Sequence, residues 1–154
     1  MVRSPYLENS VADGPVALIL TEHERRRNAM TVSFFSEGAH HPASLWVSVS
    51  RSSYTHELIV QRGQFTLALL HPKQRDLAIG CGTVSGRDSD KCRRLGLEPE
   101  DGFLSLPSAI VNLRCRVRLA HGLEADTLFV ADILAGTIES RHTWRRPLLL
   151  SDLA

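Results

Sequence analysis

The amino-acid sequence predicts a mainly β protein, a closed or split antiparallel barrel with a few short helices inserted between its strands. About six segments have the length and composition of strands, and the clearest of them alternate apolar and polar residues with a period of two. The segments that suit helices are all short. Barrel closure would remove the exposed strand edges of such a sheet. The chain of 154 residues, 43% hydrophobic, fits one domain over residues 1–154.

Composition argues against several classes of function. Lysine and arginine number 18, aspartate and glutamate 17, and the net charge is +1, so neither nucleic acid nor a membrane surface is expected as a partner. The longest apolar runs, Val16–Leu20 and Leu67–Leu70, are far shorter than the ~20 residues that span a bilayer. The N-terminus has no apolar signal segment, which predicts a cytoplasmic protein. Three widely spaced cysteines without a C-x-x-C pattern predict reduced thiols and no metal site.

Three strands are predicted in the first third of the chain. Pro15–Thr21 contains a short apolar run rich in β-formers, which indicates a buried strand. Glu22–Arg27 is dense in charge, which favours a solvated hairpin end over a basic patch for a nucleotide. Met30–Ser36 and Ser44–Ser50 follow as strands, and a turn that contains Pro42 joins them.

A helix is predicted over Tyr54–Arg62, because Ser53 or Thr55 can cap its first turn and Gly63 is placed to end it. The segments after it are shorter and less regular. They are a strand over Phe65–Leu70, short helices over Lys73–Gly80 and Asp88–Leu95, and an irregular stretch over Leu97–Ser108.

Two long strands are predicted near the C-terminus, Ala109–His121 and Thr127–Ser140, the second bent at Gly136. The first alternates apolar residues with polar ones, which predicts a sheet with one solvated face. Its polar set is Asn112, Arg114, Arg116 and Arg118. Three arginines could suggest nucleic-acid binding, but a solvated or subunit-facing strand is favoured because no aromatic residues are interleaved with them.

The segment Ser44–Ser50 has an unusual polar face. One face carries leucine and valine, and the other carries serines and Trp46 before the chain runs into Arg51. Hydroxyls, a guanidinium and the free N–H groups of a helix start suit a phosphate. Taken locally, the pattern favours the alternative of a half-exposed strand followed by a capped helix.

The order of these motifs resembles the flavin reductase-like family, the FMN-binding split barrels. Its members carry an N-x-M-T-x-S-S/F-F segment, then a turn with proline, then a strand that ends in S-x-R/K-x-S-x-T. The matching residues here are Asn28, Met30, Thr31, Ser33, Phe35, Pro42, Ser48, Ser50, Arg51, Ser53 and Thr55. The resemblance continues through Gly63–Leu70, Gln74–Leu77, Ser85–Lys91 and Thr127–Val130. It implies a split β-barrel of Greek-key type that forms a homodimer with a flavin near the subunit interface.

The resemblance also implies a set of cofactor-binding residues for FMN, with FAD as a possible substitute. The phosphate would be held by the segment that contains Ser48, Val49, Ser50, Arg51, Ser53 and Thr55. The flavin ring would lie along Met30, Thr31, Val32 and Ser33, through backbone groups and hydroxyls. A second flavin-side loop would contribute Ser85, Gly86 and Lys91. For Lys91, a plain surface lysine is an equally favoured interpretation.

Histidines give no catalytic assignment, and the catalytic residues stay unknown. His40 and His41 lie on a turn and are expected to be surface residues. His56, in the first turn of the predicted helix, could touch a ligand or face solvent. Many family reductases carry Gly-Asp-His before the last Thr/Leu-Phe-Val strand, with the histidine on the nicotinamide side. Asp126 stands at that position here.

Two functions follow from the resemblance. The leading one is an FMN-binding oxidoreductase that takes hydride from NAD(P)H and passes electrons to free flavin or to a partner oxygenase. The alternative is a flavin-binding electron carrier or sensor module with no nicotinamide step of its own. Asp126 keeps the alternative open, because a carboxylate accepts hydrogen bonds and repels a dinucleotide's negative charge.

Overall fold

A computed structural model describes residues 13–138 and 146–154 of the chain, and these residues form seven β-strands and three α-helices. The strands are β1 (Ala17–His23), β2 (Arg26–Val32), β3 (Phe35–His40), β4 (Ala43–Ser50), β5 (Gln64–Leu69), β6 (Val111–Leu123) and β7 (Asp126–Ile138). The helices are α1 (Tyr54–Arg62), α2 (Arg75–Thr83) and α3 (Lys91–Arg94). Short 3-10 turns cover Pro72–Gln74 and Leu150–Leu153.

The seven strands form one antiparallel sheet that closes on itself. Its order is β2-β1-β5-β6-β7-β4-β3, so β2 and β3 lie at opposite ends of the sheet. Only Ser33 and Phe34 connect these two strands, and so short a link spans roughly 10 Å. The two ends of the sheet must therefore lie side by side, and the Ser48 N–H also donates to the Phe34 carbonyl at 2.9 Å. The predicted mainly β split barrel is confirmed.

Strand β1 contributes to two hydrophobic cores. Ala17 and Ile19 pack inside the barrel with inward-facing residues of β4, β5 and β7, such as Val47 and Phe129. Leu18 and Leu20 alternate to the opposite face, beneath α2, the segment 97–109 and the C-terminal turn. Burial on both faces explains the uninterrupted apolar run that predicted this strand.

Helix α1 begins and ends at the residues that the sequence predicts. The Ser53 hydroxyl accepts from the His56 N–H at 3.1 Å and caps the first turn. Gly63 has a left-handed φ of 72° at the other end, and its N–H donates to the Ile59 carbonyl at 2.7 Å. Leu58 and Ile59 are buried, and they anchor α1 on the barrel.

Several predicted boundaries were wrong. The predicted strand Met30–Ser36 is the end of β2 and the start of β3, with the barrel-closing link between them. The first hairpin turns at Glu24 and Arg25, both with positive φ, and β2 begins at once with two charged residues. Arg27 pairs with β1 in this strand, and its guanidinium donates to the Leu97 carbonyl at 2.8 Å and to Asp90 at 3.4 Å.

The later elements differ in length from the predictions. The helix predicted over Lys73–Gly80 is a 3-10 turn followed by α2, and α3 is shorter than the predicted Asp88–Leu95. Asn112 at the start of β6 is buried, because its amide exchanges two 2.9 Å hydrogen bonds with the backbone of Leu106. Two register shifts farther along β6 break its alternation, and Leu119 beyond them is 57% exposed. The last two residues of the predicted strand Thr127–Ser140 lie outside the described residues.

The barrel interior should be the main source of stability. We predict that Val47→Ala, at a fully buried site, lowers the free energy of unfolding by about 2 kcal/mol because it removes two buried methyl groups. Val60→Ala, the same change at a 63% exposed site of α1, is the matched control and should change it by less than about 0.5 kcal/mol. Urea unfolding checks both, and equal effects would contradict the assignment of the core.

Candidate functional site

A cleft of about 260 Å³ opens where β2, the start of α1 and the segment after α2 meet. Its walls carry backbone donors, hydroxyls, two cations and one aromatic ring. The lining residues are Asn28, Met30, Ser52, Ser53, Tyr54, Cys81, Gly82, Thr83, Val84, Ser85, Gly86, Arg87 and Lys91.

The first wall is the N-terminal turn of α1. Ser53 caps the helix and also donates its own hydroxyl proton to the Ser50 carbonyl at 2.7 Å. The hydroxyls of Ser50 and Ser52 lie 3.0 Å apart on the same turn. The first N–H groups of a helix have no partner within it, and they carry the positive end of the helix dipole. This wall therefore suits an anionic group.

Lys91 forms the floor of the cleft and is only 2% exposed. Its Nζ donates to the carbonyls of Cys81 at 2.9 Å and Val84 at 2.6 Å, at the C-terminal end of α2. These two bonds satisfy helix-end carbonyls and use two of the three ammonium protons. Burial lowers the pKa of Lys91 from its ordinary value. The interpretation of Lys91 as a surface lysine is wrong.

Asn28 provides the one buried polar atom of the cleft that lacks a described partner. Its amide nitrogen donates to the Thr55 hydroxyl at 2.9 Å, whereas Oδ1 has no hydrogen-bond partner among the described residues. Gly86 lies directly over it, because a Cβ at that position would be 2.3 Å from Asn28 Oδ1 and 2.6 Å from the Tyr54 ring. Only glycine permits this approach of the loop to β2 and α1.

Arg87 closes the outer edge of the cleft. Its guanidinium donates to the Ser52 carbonyl at 3.1 Å and to Glu57 at 3.2 Å, and it lies 5.4 Å from the centre of the Tyr54 ring. Arg26 donates to the same Glu57 at 3.0 Å. These contacts hold the loop after α2 against the first turn of α1.

The structure places five of the predicted site residues in the cleft, namely Met30, Ser53, Ser85, Gly86 and Lys91. The others lie elsewhere. Four are turned inward: Thr31 donates its hydroxyl to the Ala78 carbonyl, Thr55 is buried against Asn28, and Val32 and Val49 face the barrel core. Ser33 is half-buried, and Ser48 lines a separate groove. Ser50 and Arg51 are exposed beside the cleft. As side chains, these residues do not line the cleft.

Sequence reasoning missed the remaining wall residues, above all Asn28, Tyr54 and Arg87. Asn28 is the first residue of the N-x-M-T match and Arg87 lies within Ser85–Lys91, so the family pattern could have indicated both as site residues. Tyr54 carried no signal, because it follows the helix cap as any surface residue would.

A second cluster lies at the turn between β6 and β7. The Thr127 hydroxyl lies 3.3 Å from Arg51 Nε and 2.8 Å from His56 Nε2. The His56 ring packs 5.4 Å from Phe129 and is half-buried, and His56 is not among the residues that line the cleft. Burial, and then the charge of Arg51, lower the pKa of His56. Asp126 begins β7 and pairs with Ser50 of β4.

The outer side of β4 and β7 carries an apolar groove of about 450 Å³, which we call the outer apolar face. It is lined by Phe34, Trp46, Ser48, Leu123, Leu128 and Val130. Phe34 is 52% exposed and Leu123 is 48% exposed, which is unusual for side chains of this size. Of the arginines on the strand expected to face solvent or a subunit, Arg114 lies against Phe103 and Arg118 pairs with Asp132.

Family membership follows from a comparison with known protein families. The family model described as "Flavin reductase like domain" matches residues 10–152, which include all seven strands and the cleft. The chain belongs to this family. The resemblance read from the motifs is confirmed, and with it the prediction of a flavin reductase-like oxidoreductase. FMN specificity and NAD(P)H dependence stay predictions.

Individual proteins that are similar to this flavin reductase-like protein have low sequence identity to it. YddH of Escherichia coli K12 is 28% identical over 137 residues, which is 83% of this chain and 72% of YddH. The reductase component of an FADH(2)-dependent resorcinol hydroxylase from a Rhizobium species is 27% identical over 129 residues, covering 82% and 69%. An FMN-binding protein from Thermus thermophilus, crystallised with p-hydroxybenzaldehyde, has the same fold, with a TM-score of 0.82, 23% identity and coverage of 94% and 82%.

Neither a membrane-spanning helix nor a metal-binding cluster is found in the described part of the chain. No helix among residues 13–138 and 146–154 has the length and apolar character needed to cross a membrane. The same residues contain no group of three or more histidine, cysteine or acidic side chains that could hold a metal ion.

The close approach at Gly86 should be indispensable for the shape of the cleft. We predict that Gly86→Ala lowers the free energy of unfolding by about 1–3 kcal/mol, because its Cβ overlaps the Asn28 amide that Thr55 holds in place. Gly80→Ala, on α2 with open space around the added Cβ, is the control and should not destabilise. Thermal unfolding of the two variants measures the difference, and equal melting temperatures would contradict the described contact.

Proposed function

We propose that the protein is an FMN-dependent oxidoreductase that uses NAD(P)H to reduce flavin for release or for a partner oxygenase, with FAD as an alternative flavin. The observation that carries this is the cleft, which combines a helix N-terminus with a buried lysine. Membership in the flavin reductase like domain family supports the flavin, and the hydroxylase reductase component from Rhizobium supports a partner oxygenase.

The cleft residues fit a flavin. The edge of an isoalloxazine ring carries an N–H donor between carbonyl acceptors, and the ammonium of Lys91 keeps one proton beyond the two that bond the carbonyls of Cys81 and Val84. The first turn of α1 offers the positive end for a phosphate. Gly86 keeps a side chain out of the space beside Asn28. When bound, the flavin supplies hydride acceptance and electron transfer.

The second candidate is a flavin-binding electron carrier with no nicotinamide step. Asp126 favours it, because this residue follows the β6–β7 turn where family reductases place a histidine. A carboxylate there would weaken the docking of a dinucleotide without disturbing the flavin. The cytoplasmic location stays a prediction in either case.

Stopped-flow reduction of flavin-loaded protein separates the two functions. We predict that excess NADH or NADPH reduces the bound FMN of the wild type, slowly, and that Asp126→His increases the rate because it removes a repelling charge. The control is FMN affinity by fluorescence titration, which this substitution should leave unchanged. A wild type that binds FMN yet is not reduced by either nicotinamide would establish the carrier, and a failure to bind FMN would overturn both.

We further propose a homodimer that covers the outer apolar face. Burying Phe34, Trp46 and Leu128 against a second copy would remove an exposed apolar area that single chains seldom leave in water. Ser48, one of the predicted flavin ligands, lines this face, so a second copy would bring that residue next to the interface.

Light scattering tests the homodimer. The wild type should have twice the mass of the 17.1 kDa chain at micromolar concentration, and Phe34→Asp should return it to the single-chain mass. Val60→Asp, at an exposed site of α1 outside this face, should remain dimeric. A flavin-bound wild type of 17.1 kDa would exclude the dimer.

A further inference from the structure

The two ends of the barrel differ in how they are covered. Helix α1 connects the end of β4 with the start of β5, and its Ile59 packs into the interior core at that end. At the other end, where β5 stops and β6 starts, the interior widens into a hollow of about 360 Å³, which we call the barrel mouth. The side chains that matter below are Glu37, Leu45, Leu67, Leu69, Val111 and Leu113.

Most of the wall of the barrel mouth is aliphatic. Leu67 pairs with Leu113 across β5 and β6, and Leu69 pairs with Val111, so the four side chains lie on one face of the sheet. Leu67 is only 2% exposed, whereas the other three are half-buried. The apolar interior therefore continues to the ends of these strands. A hollow of this volume is within the range of small-molecule sites, which are about 300–1,000 Å³ and occur in the mouths of barrels.

Glu37 is the single charged residue that lines the barrel mouth. It pairs with Leu45 across β3 and β4, and residues that lie directly opposite each other point to the same face, so Glu37 is on the inward face of β3. Two residues earlier, Phe35 pairs with the interior Val47, as the alternation of a strand requires. Glu37 is exposed at the opening, and no described residue forms an ion pair with its carboxylate. A carboxylate thus stands where the pattern calls for an apolar side chain.

We propose that the barrel mouth is a second binding site, for a small aromatic or alicyclic amine. The ring of such a molecule fills the aliphatic hollow between β5 and β6 and is removed from water there. Its ammonium group meets the unpaired carboxylate of Glu37 at the opening. The barrel mouth shares no lining residue with the cleft that contains Asn28 and Lys91. The inference therefore does not depend on the flavin or on the proposed function.

Three probes with the same ring test the site in the full chain. They are 4-methylbenzylamine, which is a cation, 4-methylbenzyl alcohol, which is neutral, and 4-methylbenzoate, which is an anion. NMR titration of the isotope-labelled protein gives each Kd, and the backbone amide signals that shift show where the probe binds. At low ionic strength the Kd of the amine should be about three- to tenfold lower than that of the alcohol, and the benzoate should bind most weakly. The shifts should centre on Leu69 and Val111.

Two kinds of variant separate the hollow from the charge. Val111→Phe, with Leu69→Phe as a second filling variant, should raise the Kd of all three probes about tenfold or more, because the added ring occupies the hollow. Val60→Phe, at a 63% exposed site of α1, is the control and should leave binding unchanged. Glu37→Gln should abolish the preference for the amine over the alcohol while the Kd of the alcohol stays the same. Glu98→Gln, whose side chain is 81% exposed outside the barrel mouth, is the control for the lost charge.

Several results would overturn the inference. Amide shifts around Asn28 and Lys91, or displacement of the amine by FMN, would place the probe in the cleft instead. Equal Kd values for the amine and the alcohol in the wild type would overturn the amine as the ligand class. A wild type that binds none of the probes would overturn the site itself. Lower melting temperatures of the filling variants would then assign the hollow to another part of this chain, and a changed mass in light scattering would assign it to a second copy.

Discussion

The two-residue link between β2 and β3 is the constraint on which the rest of the structure depends. These strands end the sheet on opposite sides, yet Ser33 and Phe34 alone connect them, so the sheet has to close. Closure creates an interior that inward-facing residues such as Val47 and Phe129 fill. It also leaves β1 between two cores, since α2 and the later segments cover its other face. The strand order therefore determines where helices can pack and where a cleft can remain.

The cleft occupies the place where the helical layer ends. α1 begins, α2 ends and β2 passes beneath them, so one helix presents free N–H groups and the other presents free carbonyls. Lys91 satisfies the carbonyls at the end of α2 and is itself hydrogen-bonded, which makes its burial tolerable. Asn28 is the exception, because its Oδ1 lies under Gly86 and has no hydrogen-bond partner among the described residues. An unsatisfied buried acceptor costs free energy of about 1–3 kcal/mol.

Charge is arranged differently on the two sides of α1. Toward the cleft, Arg87 and Arg26 share Glu57 and hold the loop after α2 in place. Toward the β6–β7 turn, Arg51 donates to a neutral hydroxyl, that of Thr127. A guanidinium that shares a carboxylate mainly orders the structure around it. The first turn of α1 thus separates two arginines that share one carboxylate from an arginine that bonds a hydroxyl.

Local patterns in the sequence determined the elements that depend on near neighbours. The alternation of Ser44–Ser50, the cap at Ser53 and the stop at Gly63 all act within one strand or turn, so periodicity and capping rules identify them. The motif order was long enough to indicate the family. Only the tertiary structure decided that Lys91 is buried, that Gly86 meets Asn28, and that Arg51 reaches Thr127. Gly86–Asn28 and Arg51–Thr127 join residues that are far apart in the chain, and the burial of Lys91 depends on how the helices pack, so none of them follows from a local period.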